Sequence, residues 1–144
     1  MTKPIGFLPP LTEPQVRPMF RTLGISSSGL SAQRLRMDAI ATNIANAETT
    51  HTDTGGPFRR HIVQMGVADS GEGVKVTGMT EDASEGPLVY DPGHPDANPD
   101  GYVRYPNVRV TDEVVDLMDS RRMYEANATV FQATKSMLHR AIDI

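Results

Sequence analysis

Apolar residues recur every seven positions near each end of the 144-residue chain. In the first such stretch Leu23, Leu30, Met37 and Ile44 form a stripe, joined by Ile40 and Ala47, and Arg34, Arg36 and Asp38 fall on the opposite face. Positions three and four apart share one face of an α-helix, so the pattern predicts an amphipathic helix. Gly24 and Gly29 weaken its beginning by about 1 kcal/mol each relative to Ala. Ser26, Ser27 and Ser28 suit a cap better than a helix interior. The N-terminal part of this helix is therefore expected to be soft until it is partnered. In the second stretch Val110, Leu117, Tyr124, Phe131 and Leu138 keep the same spacing, with Val114, Ala128 and Ile142 alongside. Thr111 is expected to cap this helix. Asp112, Glu113 and Asp116 lie in its first turns and Lys135, His139 and Arg140 near its end, as the helix macrodipole favours.

Proline and glycine divide the rest. Residues 1–18 hold Pro4, Pro9, Pro10, Pro14 and Pro18, which rules out a helix there and favours an extended or disordered extension. Neither 19–48 nor 107–144 contains proline, whereas 49–106 holds most of the glycines and all the remaining prolines. Within that middle, Arg60–Met65, Gly73–Met79 and Tyr102–Val110 show β-branched residues in partial alternation between turns, the mark of short strands. The expected fold class is α+β. Two long terminal α-helices, 19–48 and 107–144, pack as a coiled-coil-like stalk, and a small β-rich middle domain, 49–106, is inserted between them.

Composition narrows the function. Hydrophobic residues make up 38% of the chain and aromatic residues 6%, with no Trp. This is a thin supply for a private core, because large apolar side chains carry most of the burial energy. Some apolar surface is expected to be buried against other chains. A net charge of -4, drawn from an acidic middle segment, argues against a nucleic-acid partner. The absence of Cys excludes disulfides and thiolate metal sites. No stretch has the length of a membrane span, and the beginning lacks the apolar run of a signal peptide. By composition the chain is soluble, and any route out of the cytoplasm is expected to use no ordinary cleaved signal.

Candidate chemistry is sparse. Asp96-Ala-Asn98-Pro-Asp100-Gly101 matches the opening of a calcium loop, but its twelfth position is Asn107 rather than a bidentate Glu, and Pro99 interrupts it. An acidic turn is the better reading. His51, His61, His94 and His139 have no ligand spacing, and no phosphate-binding Gly-rich loop or nucleophile elbow occurs. No catalytic, metal-ligating or cofactor-binding residue is assigned, and no enzyme activity is expected. Two other classes stay open on residues alone. One is a monomeric binding module with a private helical stalk, and the other is a hydrolase working through a pair such as Asp96 and Asp100.

An apolar stripe is more often a private core than an assembly surface. Here the coiled-coil period, the terminal placement of both helices and the small polar middle favour assembly. The expected subunit-interface residues are Leu23, Leu30, Met37, Ile40, Asn43 and Ile44 on the first helix. On the last they are Val110, Leu117, Tyr124, Asn127, Phe131, Leu138 and Ile142. Asn43 and Asn46 carry two readings: an interhelical polar contact that fixes register, or an end to the helix through left-handed backbone. Register is favoured for Asn43 and termination for Asn46. Asn127 is a register candidate on the other helix.

Three separated motifs carry a family resemblance. Residues 24–50, with Ala45-Asn46-Ala47-Glu48-Thr49 as an Ala-Asn-x-x-Thr core, closely resemble the signature of the flagellar basal-body rod family. The run Tyr124–Met137 looks like that family's closing helix, and Tyr90–Val103 is similar to a segment of one member. The proline-rich residues 1–18 are longer than the family's usual beginning. The resemblance implies a structural subunit of the bacterial flagellar rod, in the periplasmic space. It implies export by the flagellar type III apparatus and helical polymerisation around the export channel. It further implies contact with itself and other rod proteins, with the inner-membrane ring or export-gate region below.

Overall fold

The computed structural model describes residues 13–143, with side chains from residue 17 onward. Helix α1 spans Glu13–Ala45 and helix α2 spans Val110–Ile142, each 33 residues or roughly 50 Å. Between them lie strands β1 (His61–Val67), β2 (Val74–Glu81), β3 (Leu88–Tyr90) and β4 (Tyr102–Arg104). The α+β architecture is the expected one. The extended reading of residues 1–18 fails over 13–18, because α1 already runs through Pro18. Pro18 is the sixth residue of α1, where it forgoes the hydrogen bond its amide would have donated and crowds the carbonyl four residues earlier. The earlier part of that proline-rich stretch lies outside the described residues.

The helices pack antiparallel. Asn43 of α1 meets Glu113 near the start of α2, and Gly29 faces Asn127 about four turns further along. An alanine-like Cβ on Gly29 would sit 2.7 Å from Asn127 Nδ2. Ser26, Gly29, Ala32 and Ala39 of α1 and Ser120 of α2 are buried, so small residues let the two backbones approach. Of the Ser and Gly positions that weaken an isolated helix, Ser26 and Gly29 are buried, whereas Gly24 and Ser27 are exposed. Thr111 does not cap α2; Arg109 occupies the cap position without a side-chain bond, and Thr111 lies inside the helix. Asp112 and Glu113 stand in the first turn and His139 and Arg140 in the last, as the charge pattern predicts.

The middle is two separate antiparallel pairs, β1–β2 and β3–β4, and not a barrel. The β1–β2 hairpin, with a register shift between Gln64 and Met65, lies along α1. Its tip is clasped where the Ser28 hydroxyl accepts from the Val74 amide at 3.0 Å and where Arg21 pairs with Glu72. The strand expected over Tyr102–Val110 stops at Arg104, because Pro106 has no amide to donate. It pairs instead with β3, a strand the periodicity does not reveal in only three residues. Tyr90 and Tyr102 stack edge-on across this pair at 5.1 Å. The expected acidic turn closes on itself: Asn98 Oδ1 accepts from the Tyr102 amide at 2.8 Å, and Gly101 turns the chain at φ 85°.

Candidate assembly interface

A polar network sits at the corner where α1 ends, β1 begins and α2 begins. Asn43 is fully buried. Its Nδ2 donates to His61 O at 2.9 Å and to Glu113 Oε2 at 3.0 Å, while its Oδ1 accepts from the His61 amide at 2.8 Å. One side chain thus joins all three elements. Glu113, also fully buried, accepts from Arg60 Nε, and Arg60 Nη2 donates to Asp116 at 3.1 Å. The Glu113 hydrogen bond raises the Arg60 guanidinium above its ordinary pKa, against the partial burial that lowers it. A buried carboxylate is costly unless paired and hydrogen-bonded, and here both conditions are met.

Asn107 extends the corner. Its Oδ1 accepts from the Arg60 amide at 2.8 Å, and its Nδ2 donates to Asp82 O at 3.1 Å and Ser84 O at 2.9 Å. It joins both ends of the β1–β2 hairpin to the residues entering α2. Asp82 accepts from the Ser84 amide at 2.9 Å, and the Ser84 hydrogen bonds hold its carboxyl below the usual aspartate range.

The favoured reading of Asn43 meets an interhelical polar contact, made within one chain. Asn46 follows the last residue of α1, but by another device than left-handed backbone. No non-glycine residue among those described has positive φ. The Asn46 Nδ2 instead donates to the Thr42 carbonyl at 2.9 Å, and Thr49 Oγ1 donates to Asn46 Oδ1 at 3.2 Å. The Ala-Asn-x-x-Thr core is a side-chain-capped turn out of the helix.

The other sequence-derived interface residues divide by exposure. Ile40 and Leu138 are buried, and Leu23, Leu30, Met37, Ile44, Leu117, Tyr124, Asn127 and Phe131 are half-buried. Val110 and Ile142 are exposed. Arg36, expected on the polar face, is half-buried with Nη2 3.9 Å from Asp116 Oδ1. Sequence reasoning missed Arg60, His61 and Asn107, whose partners are far away in the chain and leave no local pattern. It also missed a second stripe on α2: Met123, Ala126, Val130, Ala133 and Met137, all exposed. Their three-four spacing was visible, but Met123, Val130 and Met137 each lie one residue before a member of the more apolar stripe and were overshadowed by it. No group of acidic and histidine side chains among the described residues is placed to hold a metal ion.

The chain thus presents paired antiparallel terminal helices around a β insert, with a capped Ala-Asn-x-x-Thr turn leading out of the first. A model described as flagella basal body rod protein matches residues 23–50, and one described as flagellar basal body rod FlgEFG protein C-terminal matches 100–144. The chain is 44% identical over 145 residues to the flagellar basal-body rod protein FlgC of Bacillus subtilis, covering 87% of this chain and 97% of the relative. It is 39% identical over 147 residues to FlgC of Borreliella burgdorferi, covering 88% and 97%. Against FlgC of Salmonella typhimurium it is 38% identical over 124 residues, covering 83% and 92%. The chain belongs to the flagellar basal-body rod family and is a FlgC-like structural subunit of the proximal rod. Membership places it in the basal body and in assembly with other rod proteins. No helix among the described residues is long and apolar enough to cross a membrane.

Proposed function

We propose that the chain enters the rod as a preformed two-helix stalk in the periplasmic space. It is exported by the flagellar type III apparatus and seated toward the inner-membrane ring or export gate. It carries out no catalytic step and needs no cofactor or metal. The supporting observation is the division of apolar surface. Buried apolar side chains among the described residues are few: Ala32, Ala39, Ile40, Val103 and Leu138. Phe20, Met118, Met123, Met137 and Ile142 each stay more than half exposed along the helices. A rod subunit needs such surface for its neighbours, and each large apolar side chain fully covered on joining contributes roughly 1.5–3 kcal/mol. On this reading Leu23, Leu30, Met37, Ile40, Ile44, Leu117, Tyr124, Asn127, Phe131 and Leu138 serve assembly by making two helices one unit. Val110 and Ile142 meet neighbours directly, and Asn43 fixes the angle at which the β insert leaves the stalk.

The test is a deletion strain complemented with tagged chain. The tagged chain is expected to co-purify with detergent-extracted basal bodies, and rods are expected to be missing without it. Basal bodies with complete rods in the deletion strain would overturn the reading.

A further inference from the structure

Residues 24–29 hold Gly24, Gly29 and the Ser26–Ser28 run, so this stretch of α1 is poorly supported as an isolated helix. In the fold it is approached closely from two sides. Ser26 and Gly29 are buried, and a Cβ on Gly29 would meet Asn127 of α2 at 2.7 Å. On another side lies the tip of the β1–β2 hairpin, where a Cβ on Gly73 would sit 2.5 Å from Ser28 Oγ and 3.6 Å from Ile25 Cα. The Ser28 hydroxyl donates to the Ile25 carbonyl at 2.7 Å and accepts from the Val74 amide at 3.0 Å, so one side chain fastens β2 to α1. Two turns earlier Arg21 grips the Glu72 carboxylate through Nε, at 2.9 Å, and through Nη2. That pair is exposed and contributes little, which leaves the Ser28 bond as the main fastening. Gly71 and Gly73 shape the tip at φ 79° and 86°, backbone that side chains other than glycine rarely adopt.

The other end of the hairpin is pinned differently. There the buried Asn43 holds the His61 backbone, and Asn107 holds Arg60, Asp82 and Ser84. Between the two ends an opening of about 320 Å³ extends from this corner past Ile40 of α1 and Val63 and Met65 of β1. Among the described elements both strands pack on α1, and neither packs on α2 or on the β3–β4 pair. Two strands alone are marginally stable, and the parts of a fold with the fewest buried contacts open at the lowest free energy. A hairpin with a buried base, a hollow middle and a tip held by surface groups therefore opens from the tip.

We propose that the β1–β2 hairpin is a strap, hinged at the Asn43–Asn107 corner and fastened at Ser28, and that unfastening it releases residues 21–30 of α1 from the stalk as one unit. A single surface contact then decides whether the weak half of α1 is held, while the corner and the start of α2 stay folded. This is a property of the isolated chain and goes beyond the rod reading, which the basal-body experiment tests separately.

Amide hydrogen exchange on the purified full-length chain, verified as a monomer, tests the strap. Ser28→Ala removes the acceptor for Val74 and at the same time improves helix propensity at its own position. The strap requires exchange about fivefold faster over both residues 68–74 and residues 21–30, with 39–45 and 110–118 unchanged. Gly73→Ala, which drives a methyl group against Ser28 Oγ, is expected to speed the same two stretches from the hairpin side. Slower or unchanged exchange over 21–30 in Ser28→Ala, the result of propensity alone, overturns the proposal. Acceleration of the tip alone in Gly73→Ala, or of the whole chain equally in Ser28→Ala, overturns it too. Should Gly73→Ala not fold, the Ser28→Ala result decides.

Discussion

At the residue scale the molecule turns on a few polar and small side chains. Glu113 has no solvent to fall back on, so its energy depends on Arg60 and Asn43. Glu113→Ala leaves one Asn43 amide N–H and the Arg60 Nε without their acceptor, and is expected to cost about 2–3 kcal/mol. The denaturation midpoint of the purified chain measures it. Because folding raises the Arg60 pKa, the contribution of its charged guanidinium is full at neutral pH and is lost as pH rises through the folded value. Asp82 has the opposite sign. Its depressed pKa makes its contribution present at neutral pH and lost as pH falls through the folded value, below the usual aspartate range. Gly29 shows the same dependence on context through size. Gly29→Leu drives a side chain into Asn127 and is expected to destabilise by about 1–3 kcal/mol, despite the better helix propensity of Leu. Thermal unfolding followed by circular dichroism at 222 nm reads the result, and an increase in stability would contradict the close approach.

At the element scale the two helices differ in what specifies them. Helix α2 has charges suited to both ends and an apolar period along its length, so its existence follows from local rules. Helix α1 contains Gly24, Gly29, a serine run and Pro18, and it depends on tertiary partners. Its C-terminal end is the locally specified part, through the Asn46 side chain. Asn46→Ala removes the bond to Thr42 O and the acceptor for Thr49, a loss of about 1 kcal/mol. Faster amide exchange over residues 43–49, with little change at the hairpin tip, is the expected pattern. The strands follow the same logic in reverse. β1 and β2 were legible as alternating runs, but β3 has only three residues, all exposed, and is defined by its pairing with β4.

At the scale of the whole molecule the stalk is paired before any neighbour arrives. The buried positions of α1 run from Ser26 to Asn43 and those of α2 from Glu113 to Leu138. Hydrogen exchange on the isolated chain is therefore expected to show protection across these stretches, with the beginning of α1 near Arg17–Phe20 exchanging faster. Uniformly unprotected helices in a verified monomer would contradict the intrachain pairing. The expectation of a soft N-terminal half holds only for a helix considered alone. In the chain its small residues are what α2 rests on.

The sequence by itself determined the two helices, the polar insert between them and the family, because seven-residue periodicity and the Ala-Asn-x-x-Thr core are local patterns. It also singled out Asn43 and Asn46, although the left-handed ending supposed for Asn46 proved to be a side-chain cap. Only the tertiary structure decided which stripe is spent within the chain and which stays open, because two seams one residue apart on α2 carry the same period. Only the tertiary structure could join Asn43, Arg60, Asn107 and Glu113, since the bonds among them cross up to 70 residues of chain. Hydrogen bonds act over about 3 Å in space whatever the separation in sequence. A buried polar corner of this kind is therefore specified by the fold that brings its members together.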